Sequence, residues 1–202
     1  MYLVLIAGGI ASGKSSVARM LEGFGATRID LDELTHEVYA AGSETLEEIA
    51  LQFGSDVLAP DGSLRRDVLA GRAFADDESC ARLEAIVHPA VLALLRLRLA
   101  SAEADEVVFV EVPLLDRVEA LIEMADEVVC VVCPLEVRAR RAVLRGMDED
   151  DFYARVRRQP TDDYLIAHAD TVFDNAGSAS DLERMVTDWY ESLMKKILRG
   201  RE

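Results

Sequence analysis

The chain has 202 residues, half of them hydrophobic, which is enough for one well-buried core with a small inserted subdomain and excludes a disordered protein. Its net charge is −16, from 38 acids against 22 Lys and Arg, a surface that repels nucleic acid and anionic membrane. No apolar run reaches the ~20 residues of a membrane span, and the apolar start lacks a basic leader, so a cytoplasmic location is expected.

The first element is the apolar run Tyr2-Leu3-Val4-Leu5-Ile6-Ala7, which suits a buried parallel strand. It runs into Gly8-Gly9-Ile10-Ala11-Ser12-Gly13-Lys14-Ser15, which reads G-x-x-x-x-G-K-[ST], the phosphate-binding P-loop. Glycines let such a loop turn its N–H groups inward onto an anion. The helix starting near Gly13 adds its positive dipole end. Lys14 reaches the β- and γ-phosphates and the Ser15 hydroxyl is the candidate for Mg²⁺. Val17, Leu21 and Phe24 then recur at helical spacing up to Gly25.

Ala26 to Ile29 is the second expected strand, followed by Asp30-Leu31-Asp32-Glu33. Ligands of open α/β sheets bind beyond the carboxyl ends of the strands. Asp32 there is a candidate to take a proton from a substrate hydroxyl or to hold Mg²⁺ through water. Asp30, three residues before Glu33, has the spacing of a capping box.

From residue 33 to 103 the pattern is helical, with a turn at Pro60-Asp61-Gly62-Ser63 and a helix from Leu64 to Phe74. A long periodic stretch from Cys80 to Leu99 contains Pro89, which should bend or restart it. His88 reads either as a substrate contact or as a packed histidine, and spacing alone favours the packed one. This stretch is a helical subdomain inserted between the second and third strands.

Glu106 to Val112 is the third strand. Glu111 near its end is either a surface acid or an acid holding Mg²⁺ through water. Val128 to Val132 is the fourth. Cys130 and Cys133 fall on opposite faces of it and are expected to be buried thiols rather than a metal pair. Basic residues then cluster at Arg138, Arg140, Arg141 and Arg145, and again at Arg155, Arg157 and Arg158, on two helices broken at Gly146. They read as a lid that brings cations to the γ-phosphate. Thr171-Val172-Phe173 is the fifth strand, and an amphipathic helix from Ser180 to Leu198 ends the chain.

The expected fold is α/β: a three-layer P-loop NTPase fold with a five-stranded parallel sheet. The nucleotide-binding core takes residues 1–32, 104–136 and 168–202, the helical acceptor subdomain 33–103 and the lid 137–167. Guanine-reading motifs of a GTPase are missing. A P-loop near the N-terminus, a helical acceptor domain and an arginine-bearing lid fit a small-molecule kinase.

The P-loop, Ile29-Asp30-Leu31-Asp32, Phe53-Gly54, Asp61-Gly62-x-Leu64-x-Arg66, His88-Pro89, Pro113-Leu114-Leu115, Gln159, Ala169-Asp170 and Asn175-x-Gly177 fall in one order along the chain. In these the sequence resembles the dephospho-CoA kinase family. The resemblance implies transfer of the ATP γ-phosphate to the ribose 3′-hydroxyl of dephospho-CoA, the last step of coenzyme A synthesis. It implies Mg²⁺ with ATP, and no obligate protein partner is evident. Asp32 would be the general base, with Lys14 also catalytic. ATP would be held by Gly9, Ile10, Ala11, Ser12, Gly13, Lys14, Ser15 and Ser16, by Arg141 and Arg145 from the lid, and by Asn175 and Gly177 near the adenine. Asp32, Arg66, His88, Pro113, Leu114 and Leu115 would face the acceptor.

The chain departs from the family's pattern at Asp116-Arg117, where Phe-Glu often stands. It departs again at Asp162, Asp163 and Leu165, where basic residues usually follow the glutamine. Two alternatives to the dephospho-CoA reading remain: a kinase for another small hydroxyl acceptor such as a nucleoside or nucleotide, and a nucleotide-binding protein with weakened catalysis.

Overall fold

The computed structural model describes residues 1–112 and 114–199. Two compact units divide the chain: Met1–Ile29 with Ala102–Glu202, and Asp30–Ser101.

The first unit is built on a parallel sheet of order β2-β3-β1-β4-β5, with strands Tyr2–Ala7, Thr27–Ile29, Val107–Val112, Glu127–Val132 and Thr171–Asp174 numbered along the chain. The expected α/β architecture and its five parallel strands are therefore present. β1 lies between β3 and β4, pairing Leu5 with Val110 and with Val128. Successive side chains of a strand point to opposite faces. Leu3, Val4, Leu5, Ile6 and Ala7 are all 0% exposed, so both faces of β1 are covered, as a continuous apolar run in a parallel sheet requires.

Helix α1, Lys14–Gly23, follows the loop after β1 and buries Val17, Ala18 and Leu21. It ends at Phe24 with Gly25 at φ +94°, the left-handed conformation that glycine adopts without a Cβ penalty. The C-terminal helix of the unit, Ala179–Arg199, shares a core with α1 and the sheet through Leu182, Val186 and Leu193.

The second unit carries α2 (Leu31–Val38), α3 (Glu44–Phe53), α4 (Arg66–Ala73) and α5 (Asp77–Ala100). Its core gathers Val38, Ile49, Phe53, Val57, Leu69, Ala73, Leu83 and Val87. The turn at 60–63 is closed by Asp61, which accepts from the Ser63 N–H and hydroxyl. Between Gly54 and the turn, the Arg72 guanidinium bonds Asp56 and the Phe53 carbonyl. Of the two outcomes expected at Pro89, a bend or a restart, the restart does not occur: α5 runs unbroken through it. Apolar residues at 83, 87, 95 and 99 are buried along its length, and that packing offsets the one backbone bond a proline removes.

Back in the first unit, α6 (Glu119–Ile122) precedes β4, and α7 (Leu135–Leu144), α8 (Glu149–Val156) and α9 (Asp162–Ala167) follow it; the C-terminal helix is α10. Gly146, at φ +86°, separates α7 from α8, and Asp148 caps α8 by accepting from Asp150 and Asp151 N–H. Among the described residues no helix is long and apolar enough to cross a membrane.

Candidate active site

The β1–α1 loop makes the anion cradle. Gly13 at φ +111° and Ala11 at φ +59° both lie in the left-handed region. For alanine that conformation is strained, and such strain persists where the surroundings hold it, often at ligand clamps. Here the surroundings are named. Asn175 is buried, and its Nδ2 donates to the Ser12 carbonyl at 2.7 Å. Arg141 in turn donates through Nη2 to the Asn175 carbonyl at 3.0 Å and through Nη1 to Cys133 Sγ at 3.4 Å. A Cβ on Gly13 would collide with the Asn175 amide, so the close approach requires glycine.

The other limb of the loop is held from α7, α8 and the turn that follows α8. Gln159 Oε1 accepts from the Ile10 N–H at 2.7 Å. Ile10 and Ala11 pack on the small core of Ala139, Ala142 and Phe152, where α7 meets α8. The base of the arginine-bearing helices is thus continuous with the P-loop.

A cavity of about 490 Å³ opens over the loop, within the usual size of a small-molecule site. It is lined by residues 8–16, by Arg19 of α1, by Leu114 and Arg117 after β3, and by Arg145, Arg155, Arg158 and Gln159. All the charged lining residues among those described are basic: Lys14, Arg19, Arg117, Arg145, Arg155 and Arg158. In a chain of net charge −16 this is a local inversion of sign, which favours a polyanion.

Lys14 also meets Glu111, at the end of β3. Glu111 Oε2 is 3.6 Å from Lys14 Nζ, and Oε1 is 3.0 Å from Arg28 Nη2. The Glu111 side chain is 13% exposed, so the surface reading of this acid does not hold. The Ser15 side chain is exposed at the start of α1, while Ser16 is half-buried.

The remaining expected residues are distributed as follows. Leu114 lines the cavity, whereas Leu115 is fully buried. Pro113 lies outside the described residues. Arg145 lines the cavity; Arg141 is turned onto Asn175 and Cys133 instead. Gly177 sits in the turn before α10, with the Asp181 side chain close to it.

Asp32, Arg66 and His88 belong to the second unit. Asp30 caps α2, its side chain accepting from the Asp32 N–H at 2.8 Å. The Asp32 carboxylate is exposed and makes no hydrogen bond or ion pair among the described residues. Arg66 is exposed on the first turn of α4, with Nη1 3.3 Å from His36 Nε2. His88 is exposed on α5, which overturns the packed reading that its spacing favoured.

Arg19 and Arg117 line the cavity although spacing alone did not single them out, whereas Arg138, one of the clustered arginines, lies against Gly9. Arg117 belongs to the Asp-Arg pair read as a departure from the family; it brings a cation to the cavity. Arg19 lies four residues after Ser15, one helical turn along the same face, a signal that the period of α1 contains.

The family model described as dephospho-CoA kinase matches residues 2–181. A Corynebacterium diphtheriae protein named dephospho-CoA kinase is 40% identical over 200 residues, covering 98% of this chain and all of its own length. One from Streptomyces avermitilis is 44% identical over 197 residues, covering 97% and 96%. Among solved structures, TT1252 from Thermus thermophilus superposes with a TM-score of 0.76 at 35% identity, covering 95% of this chain and 97% of its own. The dephospho-CoA kinase of Campylobacter jejuni gives a TM-score of 0.73 at 22% identity, covering 96% and 98%, a likeness that bears on the fold.

Proposed function

The chain belongs to the dephospho-CoA kinase family, and from that premise we propose how its residues carry out the transfer of the ATP γ-phosphate to the ribose 3′-hydroxyl of dephospho-CoA. It is an ATP-dependent phosphotransferase with an alcohol acceptor. The observation that most supports the division of roles is the cavity over the P-loop, whose charged lining is basic in an acidic protein.

The loop N–H groups and Lys14 hold the phosphates of ATP, and Arg145, Arg155 and Arg158 face them from the arginine-bearing helices. Asn175 supports the loop from beneath through the Ser12 carbonyl, and with Gly177 it borders the adenine end. Asp32 accepts the proton of the attacking 3′-hydroxyl. As that oxygen bonds to the γ-phosphorus, the bond from phosphorus to the β,γ-bridging oxygen breaks and ADP leaves. Lys14 and the arginines are fixed before the charge spreads over the transferring group, so they stabilise it with little reorganisation. Arg66, His88 and Leu114 contact the acceptor. The nucleotide core, the helical acceptor subdomain and the lid divide the chain as its sequence pattern indicates.

The donor chemistry fits Mg²⁺. The Ser15 hydroxyl and the Glu111 carboxylate are hard oxygen donors beside Lys14. No group of three His, Cys, Asp or Glu able to cage a metal occurs among the described residues. Mg²⁺ commonly takes one or two protein oxygens and fills its remaining positions with phosphate oxygens and water. Bound with ATP, Mg²⁺ would neutralise charge on the phosphates. Three free thiols suit a reducing cytoplasm.

The experiment is ADP release from Mg-ATP with and without dephospho-CoA, with the product mass determined. The proposal expects strong stimulation and a product heavier by one phosphate, abolished in Lys14→Ala. ATP binding without stimulation would contradict it.

A further inference from the structure

Arg138 is 6% exposed, on α7, and its guanidinium lies against Gly9. A Cβ on Gly9 would collide with Nη1, so the loop and the arginine fit one another only because residue 9 is glycine. The counter-charge is Asp162 on the first turn of α9, with Oδ1 3.6 Å from Nη1. The buried Nε–H has no partner among the described residues. A buried cation with one ion pair and an orphaned donor weakens a fold. Nothing in the packing around α7 requires a charge there. The neighbouring core of Ala139, Ala142 and Phe152 is apolar, and a methionine would fill similar volume.

What lies beside the charge is the phosphate-binding loop. Gly9 and Gln159 both line the cavity, and Gln159 fixes the adjacent Ile10 N–H. We propose that Arg138 is a positioning residue for ATP: its guanidinium, seated behind Gly9 and tethered by Asp162, fixes the first limb of the P-loop and sets a permanent positive charge against the phosphate site. A cation held in a region that water does not reach acts over a longer distance than an exposed one. It also needs no rearrangement when the nucleotide arrives. The Asp162 carboxylate reaches the same spot from α9, so a guanidinium placed at 162 supplies that charge from the other side.

This rests on the reading of the loop as the ATP site, so the primary readout is the Kd of ATP by calorimetry, which does not depend on the acceptor. Arg138→Gln is expected to weaken ATP binding about tenfold while leaving the KM of dephospho-CoA unchanged. Adding Asp162→Arg to Arg138→Gln is expected to restore most of the ATP affinity. A purely structural role moves Tm and both substrates together and gives no such rescue. Unchanged ATP affinity in folded Arg138→Gln, or loss of affinity that Asp162→Arg leaves in place, overturns the proposal. If Arg138→Gln does not fold, Asp162→Asn carries the test: weaker ATP binding with an unchanged dephospho-CoA KM supports it, and unchanged ATP binding overturns it. Failure of wild-type protein to bind ATP at all would strike the active-site reading itself.

Discussion

Glu111 holds Lys14 by one carboxylate oxygen and Arg28 by the other, at 3.6 Å and 3.0 Å. The P-loop lysine is therefore oriented from β3, the strand next to β1. The proposed role of Glu111 toward Mg²⁺ bound with ATP gives a test. Glu111→Gln should raise the Mg²⁺ concentration needed for half-maximal rate by about 10- to 100-fold, the usual cost of losing a supporting ligand. Rate against free Mg²⁺ at saturating ATP checks this. A superimposable Mg²⁺ curve would leave Glu111 only as a charge partner of Lys14 and Arg28.

Gly13→Ala should damage the loop in two ways. Its φ of +111° is unfavourable for alanine, and the new Cβ displaces the Asn175 amide that holds the Ser12 carbonyl. A cost of about 2 kcal/mol corresponds to a Tm lower by about 4–8 °C for a chain of this size. Thermal unfolding with and without ATP measures both the loss of stability and the expected loss of nucleotide stabilisation.

Asp56 shows how acid should act on the second unit. Its hydrogen bonds from Arg72 hold the carboxyl below its ordinary value. A depressed carboxylate contributes stability above its unfolded value, about 3.9 for aspartate. That contribution is lost as pH falls through the folded value. Arg72→Met should thus lower Tm near neutrality and converge with wild type in acid. Parallel Tm curves across the whole pH range would contradict this.

The three cysteines should separate cleanly by reactivity. Burial pushes the Cys130 thiol up to about 12, and its Sγ–H donates to the Leu165 carbonyl. Burial also raises Cys133, against a smaller opposing effect of Arg141. Cys80 is half-buried on α5. An aromatic disulfide reagent at mild alkaline pH should label Cys80 first and Cys130 only on unfolding. Rapid native labelling of Cys130 would show that β4 opens.

Much of this was legible along the chain, because the signals were local. The strand, glycine loop and helix at the start announce themselves within one window, and so do the Asp30 cap and the break at Gly146. The elements of the sheet could be named, but not the pairings that bring Glu111 to Lys14, since register joins residues about a hundred positions apart. The arginine cluster of α7 was visible as composition only. Helical period puts 138, 141 and 145 on one face, yet each meets a different partner: Asp162, Asn175 and the cavity. Arg140, off that face, bonds the Glu136 carbonyl one turn back. The continuity of α5 through Pro89 and the exposure of His88 escape local signals for a related reason. Local rules describe a proline's missing N–H and a histidine's spacing, while helix continuity and exposure depend on what packs around them.

The proposed role of Asp32, to take the proton from the acceptor hydroxyl, is open to direct test. Its carboxylate is exposed and unpaired among the described residues, so replacing it disturbs little else. The most direct measurement is single-turnover phosphorylation of dephospho-CoA by Asp32→Asn, with the Kd of Mg-ATP determined on the same protein. The account predicts a transfer rate lower by about 10²–10⁴-fold with ATP binding unchanged. A near-normal rate would contradict it. So would a collapse of Mg-ATP binding, which would move Asp32 from proton transfer to the metal.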